Sequence, residues 1–584
     1  MFRVLAETAS RCGNNAALHE PVRHKKERSY RTYSWNDWLT HSREIALGLH
    51  ALGLQKGEIV CILSETRAEF YLVDLGIMAA GGVSAALYTA YPMPELAENI
   101  RSIQPRFFFV EDATTLANFA EAAARIGVRI PEHVVLLSGQ AEGAITLEML
   151  EQLGREAADQ DATLFERMQD ALTPADPAIL YLTSGATGTP KMGLTSHAAI
   201  VANIDMAPGV LPIGPEDSTL AFLPSAHMAQ RIVLEFVPLR MGTPVWFSEG
   251  LARLPSELRA TRPTIFLAPP RLWERMYATI LTEVKKRPAI ARNLFFRSLA
   301  LGKKASALRE SGQQPPLWMK AALRVADRLV FSKVRERLGG RMSIAASGAA
   351  PLGKQLAEFF AGIGLRLLEG YGLTETGVLC LTPLHKPRAG SIGKPLPGVE
   401  LRLTEEGELQ ARTPCMFMGY YRDDAATASV LSRDGWFSTG DLAQVDADGY
   451  WYITGRKKEL IVSSNGKKIY PARIEALFKM EPLIGHVLLI GDDRPYVTAI
   501  FAVNATEATK TNGSARALES AVKDAVARVN DQLADFERIR RFKVLDREFS
   551  IEHGELTPTM KLRRSRAIEN HRALVTELYL GKEE

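Results

Sequence analysis

Residues 58–89 read EIVCILSETRAEFYLVDLGIMAAGGVSAALYT, and this stretch decides the fold. EIVCILS (58–64) is a short β-branched run, the pattern of a strand covered on both faces. AEFYLVDLGIMAA (68–80) is too long for a strand and apolar on every side, so it predicts a buried helix. Gly81-Gly82 then permits a tight turn into VSAALYT (83–89), a second strand. The uncharged run from Leu75 to Pro94 approaches the length of a membrane span, but Gly76, Gly81, Gly82, Pro92 and Pro94 interrupt it, and it reads as core helix, turn and core strand. Strand, helix and strand in this order form a βαβ unit with a parallel sheet.

The same rhythm runs outward. ELAENIRSI (95–103), RFFFVED (106–112) and LANFAEAAARIG (116–127) continue it, and a second series follows with AILYLTS (178–184), HAAIVANIDMA (197–207), LAFLPSA (220–226) and PTIFLAPP (263–270) before RLWERMYATILTEVKK (271–286). Residues 290–341 depart from it, reading helix after helix with 12 Lys/Arg against 3 Asp/Glu, a surplus of 9. After about residue 390 short strands and turns predominate, as in VELRLTEEGELQARTP (399–414) and DGWFSTGDLAQVDADGYWYITG (434–455), which predicts a compact β subdomain. Beyond Gly455 strands such as HVLLIG (486–491) and YVTAIFAV (496–503) alternate with a long helix expected around 514–536. The expected fold is therefore α/β: a large N-terminal domain, 1–455, of doubly wound βα subdomains plus a small β subdomain, and a smaller mobile α+β C-terminal domain, 456–584.

Composition narrows the function. At roughly 150 residues per folding unit, 584 residues suggest about four units or fewer large ones. Lys plus Arg (71) nearly balance Asp plus Glu (67), which excludes a chain-wide nucleic-acid binder. Cys12, Cys61, Cys380 and Cys415 are scattered, so neither a zinc site nor a disulfide framework is expected. The opening MFRVLAETASRCGNN carries Arg3, Glu7 and Arg11 and lacks the apolar core of a secretory signal, so a cytoplasmic protein is expected. The basic helices at 292–341 add an expectation of weak peripheral association with the inner face of a membrane.

Chemistry concentrates in five strings. Tyr181-Leu-Thr-Ser-Gly-Ala-Thr-Gly-Thr-Pro-Lys191 is a polar, Gly-rich loop after an apolar strand. Its N–H groups and hydroxyls suit phosphate oxygens, although by itself it equally fits a surface turn rich in small residues. It is not a Walker A loop, because Pro190 and Met192 flank the lysine. The other four are Glu369-Gly-Tyr-Gly-Leu-Thr-Glu375, Ser438-Thr-Gly-Asp-Leu442, Gly455-Arg-Lys-Lys-Glu-Leu-Ile461 and Pro558-Thr-Met-Lys561. Together and in this order they resemble the motifs of the adenylate-forming superfamily of acyl-CoA synthetases, luciferases and peptide-synthetase adenylation domains. The resemblance spans about residues 5–575. Phe222-Leu-Pro-Ser-Ala-His-Met-Ala-Gln-Arg231 and Pro270-Arg-Leu-Trp-Glu-Arg-Met-Tyr277, with SETRAE (64–69), are similar to the long-chain fatty acyl-CoA synthetases.

The resemblance implies a two-step reaction: a fatty acid and Mg-ATP give acyl-AMP and pyrophosphate, then the CoA thiol displaces AMP. It implies an ATP site made of Thr183, Ser184, Gly185, Thr187, Gly188 and Lys191 on the phosphate loop, Gly348, Ala349 and Ala350 beside the base, and Tyr371, Gly372 and Thr374. Thr187 and Glu375 would hold Mg²⁺, a hard cation that takes its other ligands from phosphate and water. Asp441 and Arg456 would grip the ribose, and Tyr371 would stack on adenine. Lys561 would meet the charge that develops at the α-phosphate, and His227 would lie where the carboxylate meets the pantetheine path. Lys458 would be the hinge about which the C-terminal domain turns, bringing Ser464 and Gly466 to CoA. Ala186 and Met192 depart from the family's usual residues at the pyrophosphate end. An acyl-[acyl carrier protein] synthetase, a fatty acyl-AMP ligase, an aryl-acid CoA ligase and a non-catalytic nucleotide-binding regulator share the fold and remain alternatives at this point.

Overall fold

A computed structural model of the chain describes residues 1–22, 28–183, 191–504, 508, 515–557 and 560–580. The opening βαβ unit forms as expected. Ile59–Leu63 and Val83–Ala86 are parallel neighbours, joined by the helix Ala68–Ala79, all of whose residues are buried. They lie in an eight-stranded sheet that continues outward through Phe107–Val110, His133–Leu136 and Ile145–Thr146. A second, nine-stranded sheet holds Thr219–Ala221, Ile265–Ala268, Ile344–Ser347 and Leu367–Leu373. The strands at the centre of each sheet are largely apolar and buried, as the doubly wound reading requires.

The helix Ala68–Ala79 buries two acids, Glu69, which pairs with Arg67 at 2.7 Å, and Asp74. Asp74 is fully buried and pairs with Arg231, also fully buried, which reaches Ser84 as well. Burial of this kind is tolerable because the two opposite charges face one another, and Tyr181 and Phe70 add ring faces to the guanidinium.

Three expectations need correction. The second series is not a plain strand-to-helix repeat: Pro177–Thr183 turns back into Lys191–Ser196, which pairs with it antiparallel before the helix His197–Asp205 begins. KMGLTS has too few apolar residues to announce a strand; hairpin pairing makes it one. LAFLPSA contributes only Thr219–Ala221, since Pro224 offers no ladder donor. The long C-terminal helix is Ala515–Asn530 and stops there, the Asn530 side chain turning to bond the backbone of Ile539 at both ends.

Residues 290–341 are helical as expected, with Ala289–Glu310, Leu317–Ala326 and Ser332–Glu336, the last two joined by a five-residue π-turn at Asp327–Phe331. The small β subdomain is a four-stranded antiparallel sheet of Glu400–Leu403, Glu408–Arg412, Phe437–Val445 and Trp451–Arg456. Beyond it a three-stranded sheet, Ile484–Ile490, Val497–Val503 and Ile539–Leu545, carries the C-terminal core. All four cysteines are free and buried.

Candidate active site

The ends of several strands converge on one crevice. Leu367–Leu373 pairs in parallel with Ile344–Ser347, which sets the loop after Ser347 beside Tyr371. A Cβ on Gly348 would sit 3.5 Å from the Gly370 carbonyl, so the loop backbone lies close against this strand. Ala349 takes a left-handed conformation, φ 69°, an uncommon setting for a residue with a Cβ that here lets the loop double back on itself. Gly372 has no alternative: a Cβ there would lie 2.3 Å from the Gly377 carbonyl across the antiparallel neighbour.

Register in the small β subdomain places Asp441 directly opposite Arg456. Arg456 Nε lies 2.8 Å from Asp441 Oδ1, and the Tyr371 hydroxyl donates to Oδ2 at 2.6 Å. Burial and the adjacent carboxylate push the Tyr371 phenol well above its usual range, so it stays a donor. Each Asp441 oxygen retains a lone pair, enough for a diol. Tyr371, Asp441 and Arg456 are therefore one hydrogen-bonded unit.

Next along the chain, Glu375 accepts a hydrogen bond at Oε1 from the Tyr420 hydroxyl at 2.7 Å. Lys191 Nζ stands 4.6 Å from the centre of the Tyr420 ring. Thr183 donates to the Lys191 carbonyl at 3.0 Å, which fixes the base of the hairpin. Ser184, Gly185, Thr187 and Gly188 lie outside the described residues, as does Ala186.

From the C-terminal side, a tight loop delivers Lys561. Thr557 accepts from the Lys561 N–H at 3.0 Å and donates its own N–H to the Lys561 carbonyl at 2.8 Å. Met560 at the tip has φ 63°. The side chain is exposed, yet protein crowds the ammonium, and this crowding together with the Arg456 cation lowers it to about 8, against the pull of Asp441 and Glu459. On the other side is His227, which burial and the Lys561 charge lower to about 3, leaving a neutral imidazole. His227 Nδ1 accepts from the Ala229 N–H at 3.1 Å, so Nε2 carries the proton. The π-helix Gln230–Phe236 begins three residues later.

Lys561, Asp441, Arg456, Tyr371 and His227 are thus brought together. Ser464 and Gly466 are not: they sit exposed on the turn between Ile461–Val462 and Lys468–Ile469, where Gly466 has φ 76°. Lys458 lies exposed in the short turn Lys457–Glu459, beside Lys457, which pairs with Glu406 at 2.6 Å and Glu408 at 3.1 Å. Sequence reasoning missed Tyr420, which no charge or glycine pattern singles out. It also missed the contacts that seat the C-terminal part: Arg563 to the Tyr91 hydroxyl at 3.2 Å, and Lys479 to the Pro351 carbonyl and, at 3.5 Å, to Glu274.

Comparison with known proteins identifies the family. The model of the AMP-binding enzyme family matches residues 5–421, and that of the AMP-binding enzyme C-terminal domain matches residues 458–583. The chain belongs to the AMP-binding enzyme family. It is 34% identical over 560 residues to the long-chain-fatty-acid–CoA ligase FadD15 of Mycobacterium tuberculosis, covering 92% of this chain and 90% of that protein. It is 28% identical over 631 aligned positions to the human long-chain-fatty-acid–CoA ligase ACSBG1, covering 99% and 85%. Among solved structures, the adenylation domain of a Mycobacterium chelonae carboxylate reductase superposes with TM-score 0.74 at 21% identity, covering 99% of this chain and 90% of that one. ATP-bound MatB from Rhodopseudomonas palustris superposes with TM-score 0.70 at 23% identity, covering 98% and 99%. These structural likenesses carry the fold.

Proposed function

We propose that the chain activates long-chain fatty acids with ATP to acyl-AMP and transfers the acyl group to CoA, releasing pyrophosphate and AMP. The observation that carries the reading is the Lys561 ammonium in the same crevice as the Tyr371–Asp441–Arg456 unit. That unit binds a nucleoside: Asp441 accepts from the ribose hydroxyls while Arg456 and Tyr371 hold its carboxylate still, and the small side chains of Gly348–Ala350 leave room beside it for the base. Lys191 and Lys561 approach the triphosphate from two sides. During attack of the fatty carboxylate on the α-phosphate, negative charge grows on the transferring group, and Lys561, already positioned, stabilises it. His227, neutral with Nε2–H, donates to a carboxylate oxygen without adding charge.

Glu375 suits a hard cation, because it offers one carboxylate oxygen free of Tyr420 and the phosphates supply the rest. Mg²⁺ held there with Thr187 would neutralise the pyrophosphate leaving group. For the second step the C-terminal domain turns about Lys458, withdrawing Lys561 and presenting the Ser464–Gly466 turn to the thiol, while Arg456 stays paired with Asp441. The lone positive-φ glycine of that turn leaves backbone accessible to a narrow ligand.

A panel of saturated acids from about C4 to C18, with cinnamate and benzoate, tests the reading. Each buried CH₂ contributes about 0.8 kcal/mol, so kcat/KM for AMP release should climb steeply to about C12–C18 and depend on CoA. Preference for acetate or an aryl acid overturns the substrate assignment. AMP release that never yields thioester overturns the acceptor.

A further inference from the structure

The helix Leu317–Ala326, with the π-turn that extends it, has an unpartnered outer face. Leu317, Trp318, Val325 and Leu329 are 83%, 62%, 59% and 51% exposed, against a general rule that large apolar side chains scatter singly on a surface. Their spacing, i, i+1, i+8 and i+12, puts them on one side of the helix, and exposed Arg324 and Arg328 at i+7 and i+11 lie on that same side. The inner side is spent on the core, where Met319, Ala326 and Phe331 are buried. The exposed side carries no carboxylate, and nearby Asp327 is taken up by Arg335 at 2.7 Å. On the preceding helix, Ala289–Glu310, Ile290 is 84% exposed.

We propose that this face docks the enzyme in plane on an anionic phospholipid bilayer. The apolar stripe, with Trp318 at one end, enters the boundary between headgroups and acyl chains, while Arg324 and Arg328 remain at the phosphates. Charge complementarity favours this occupant, because the 290–341 segment has a surplus of 9 positive side chains. A second copy of the chain is the poorer fit: a two-fold contact on this face would set arginine against arginine with no acid between them. Among the described residues no helix is long and apolar enough to cross a membrane, so the contact is with the surface. The charge surplus alone, spread over three helices, does not single out a face; the apolar stripe does. The proposal stands apart from the chemistry assigned to the crevice.

Cosedimentation of the full chain with vesicles containing about 30 mol% phosphatidylglycerol, or phosphatidylcholine alone, at about 50 mM and 500 mM salt tests it. Wild type should bind the anionic vesicles, and binding should fall at high salt. Leu317→Ser/Trp318→Ser/Val325→Ser should lower vesicle binding at least about tenfold, and Arg324→Gln/Arg328→Gln by about fivefold per charge removed. Turnover of a short, soluble acid should be unchanged in both variants, which reports that they fold. Equal binding to neutral vesicles at low salt, or binding that neither variant lowers, overturns the proposal. So does a dimer in sedimentation velocity that the serine variant dissolves without altering vesicle binding, since a second copy would then cover the face.

Discussion

The two walls of the crevice are built on different principles. On the N-terminal wall the main polar groups are on or next to strands and already engaged: Asp441 with Arg456 and Tyr371, Glu375 with Tyr420, Thr183 with the hairpin backbone. On the C-terminal wall Lys561 rides a short loop, and its ammonium has no hydrogen-bond partner among the described residues. The first wall spends little on reorganisation when a nucleotide arrives. The second keeps a cation crowded and unpaired; in the proposed reaction it would gain most from a phosphate and leave nothing broken on withdrawing. In the proposed reaction, binding would belong to the N-terminal wall and the timing of the reaction to the C-terminal one.

Removing the Lys561 charge should have the largest effect. Lys561→Ala should slow acyl-AMP formation by about a hundred- to a thousandfold, about 2.7 to 4 kcal/mol, measured as pyrophosphate release. Damage to the N-terminal wall should show instead in binding: Asp441→Asn gives up the charge that holds Arg456 and meets the ribose, and should raise the KM for ATP about ten- to a hundredfold with a smaller change in kcat. A rise in KM for the fatty acid alone would break this division between the walls.

Proton dependence sharpens the same contrast. Below about pH 8 the Lys561 ammonium is charged; above it the charge is lost. The kcat/KM for adenylation in the free enzyme should therefore hold level to about pH 8 and fall about tenfold per unit beyond. Lys561→Arg, which stays charged, should displace this limb upward, whereas an unmoved limb assigns it to another group. The smallest effect is expected at Tyr420→Phe, which takes one hydrogen bond from Glu375 and should lower kcat about three- to tenfold, with more Mg²⁺ needed for half-maximal rate.

Much of this was legible in the chain itself. The βα rhythm from Glu58 and the turn at Gly81-Gly82 fix one sheet because periodicity is local, and Asp441, Arg456 and Tyr371 fall in strings whose order survives any fold. What the sequence hid depends on distant pairing. Lys191–Ser196 is a strand only because Pro177–Thr183 and Gly419–Tyr420 flank it, and Tyr420 reaches Glu375 only through that edge pairing. The docking of Arg563 on Tyr91, 472 residues apart, leaves no pattern in either segment. The basic surplus at 290–341 was visible, but which side of Leu317–Ala326 faces outward is settled by packing.

The claim that one lysine serves the first step and is then withdrawn is tested most directly by following both half-reactions in Lys561→Ala and Lys458→Pro. Single-turnover assays would measure acyl-AMP from acid and ATP, and thioester from supplied acyl-AMP and CoA. The account predicts opposite defects: Lys561→Ala loses adenylation and keeps thioester formation, while Lys458→Pro, its backbone held near φ about −65°, keeps adenylation and loses thioester formation. Equal impairment of the two steps in Lys561→Ala, with the circular dichroism spectrum unchanged, would contradict it.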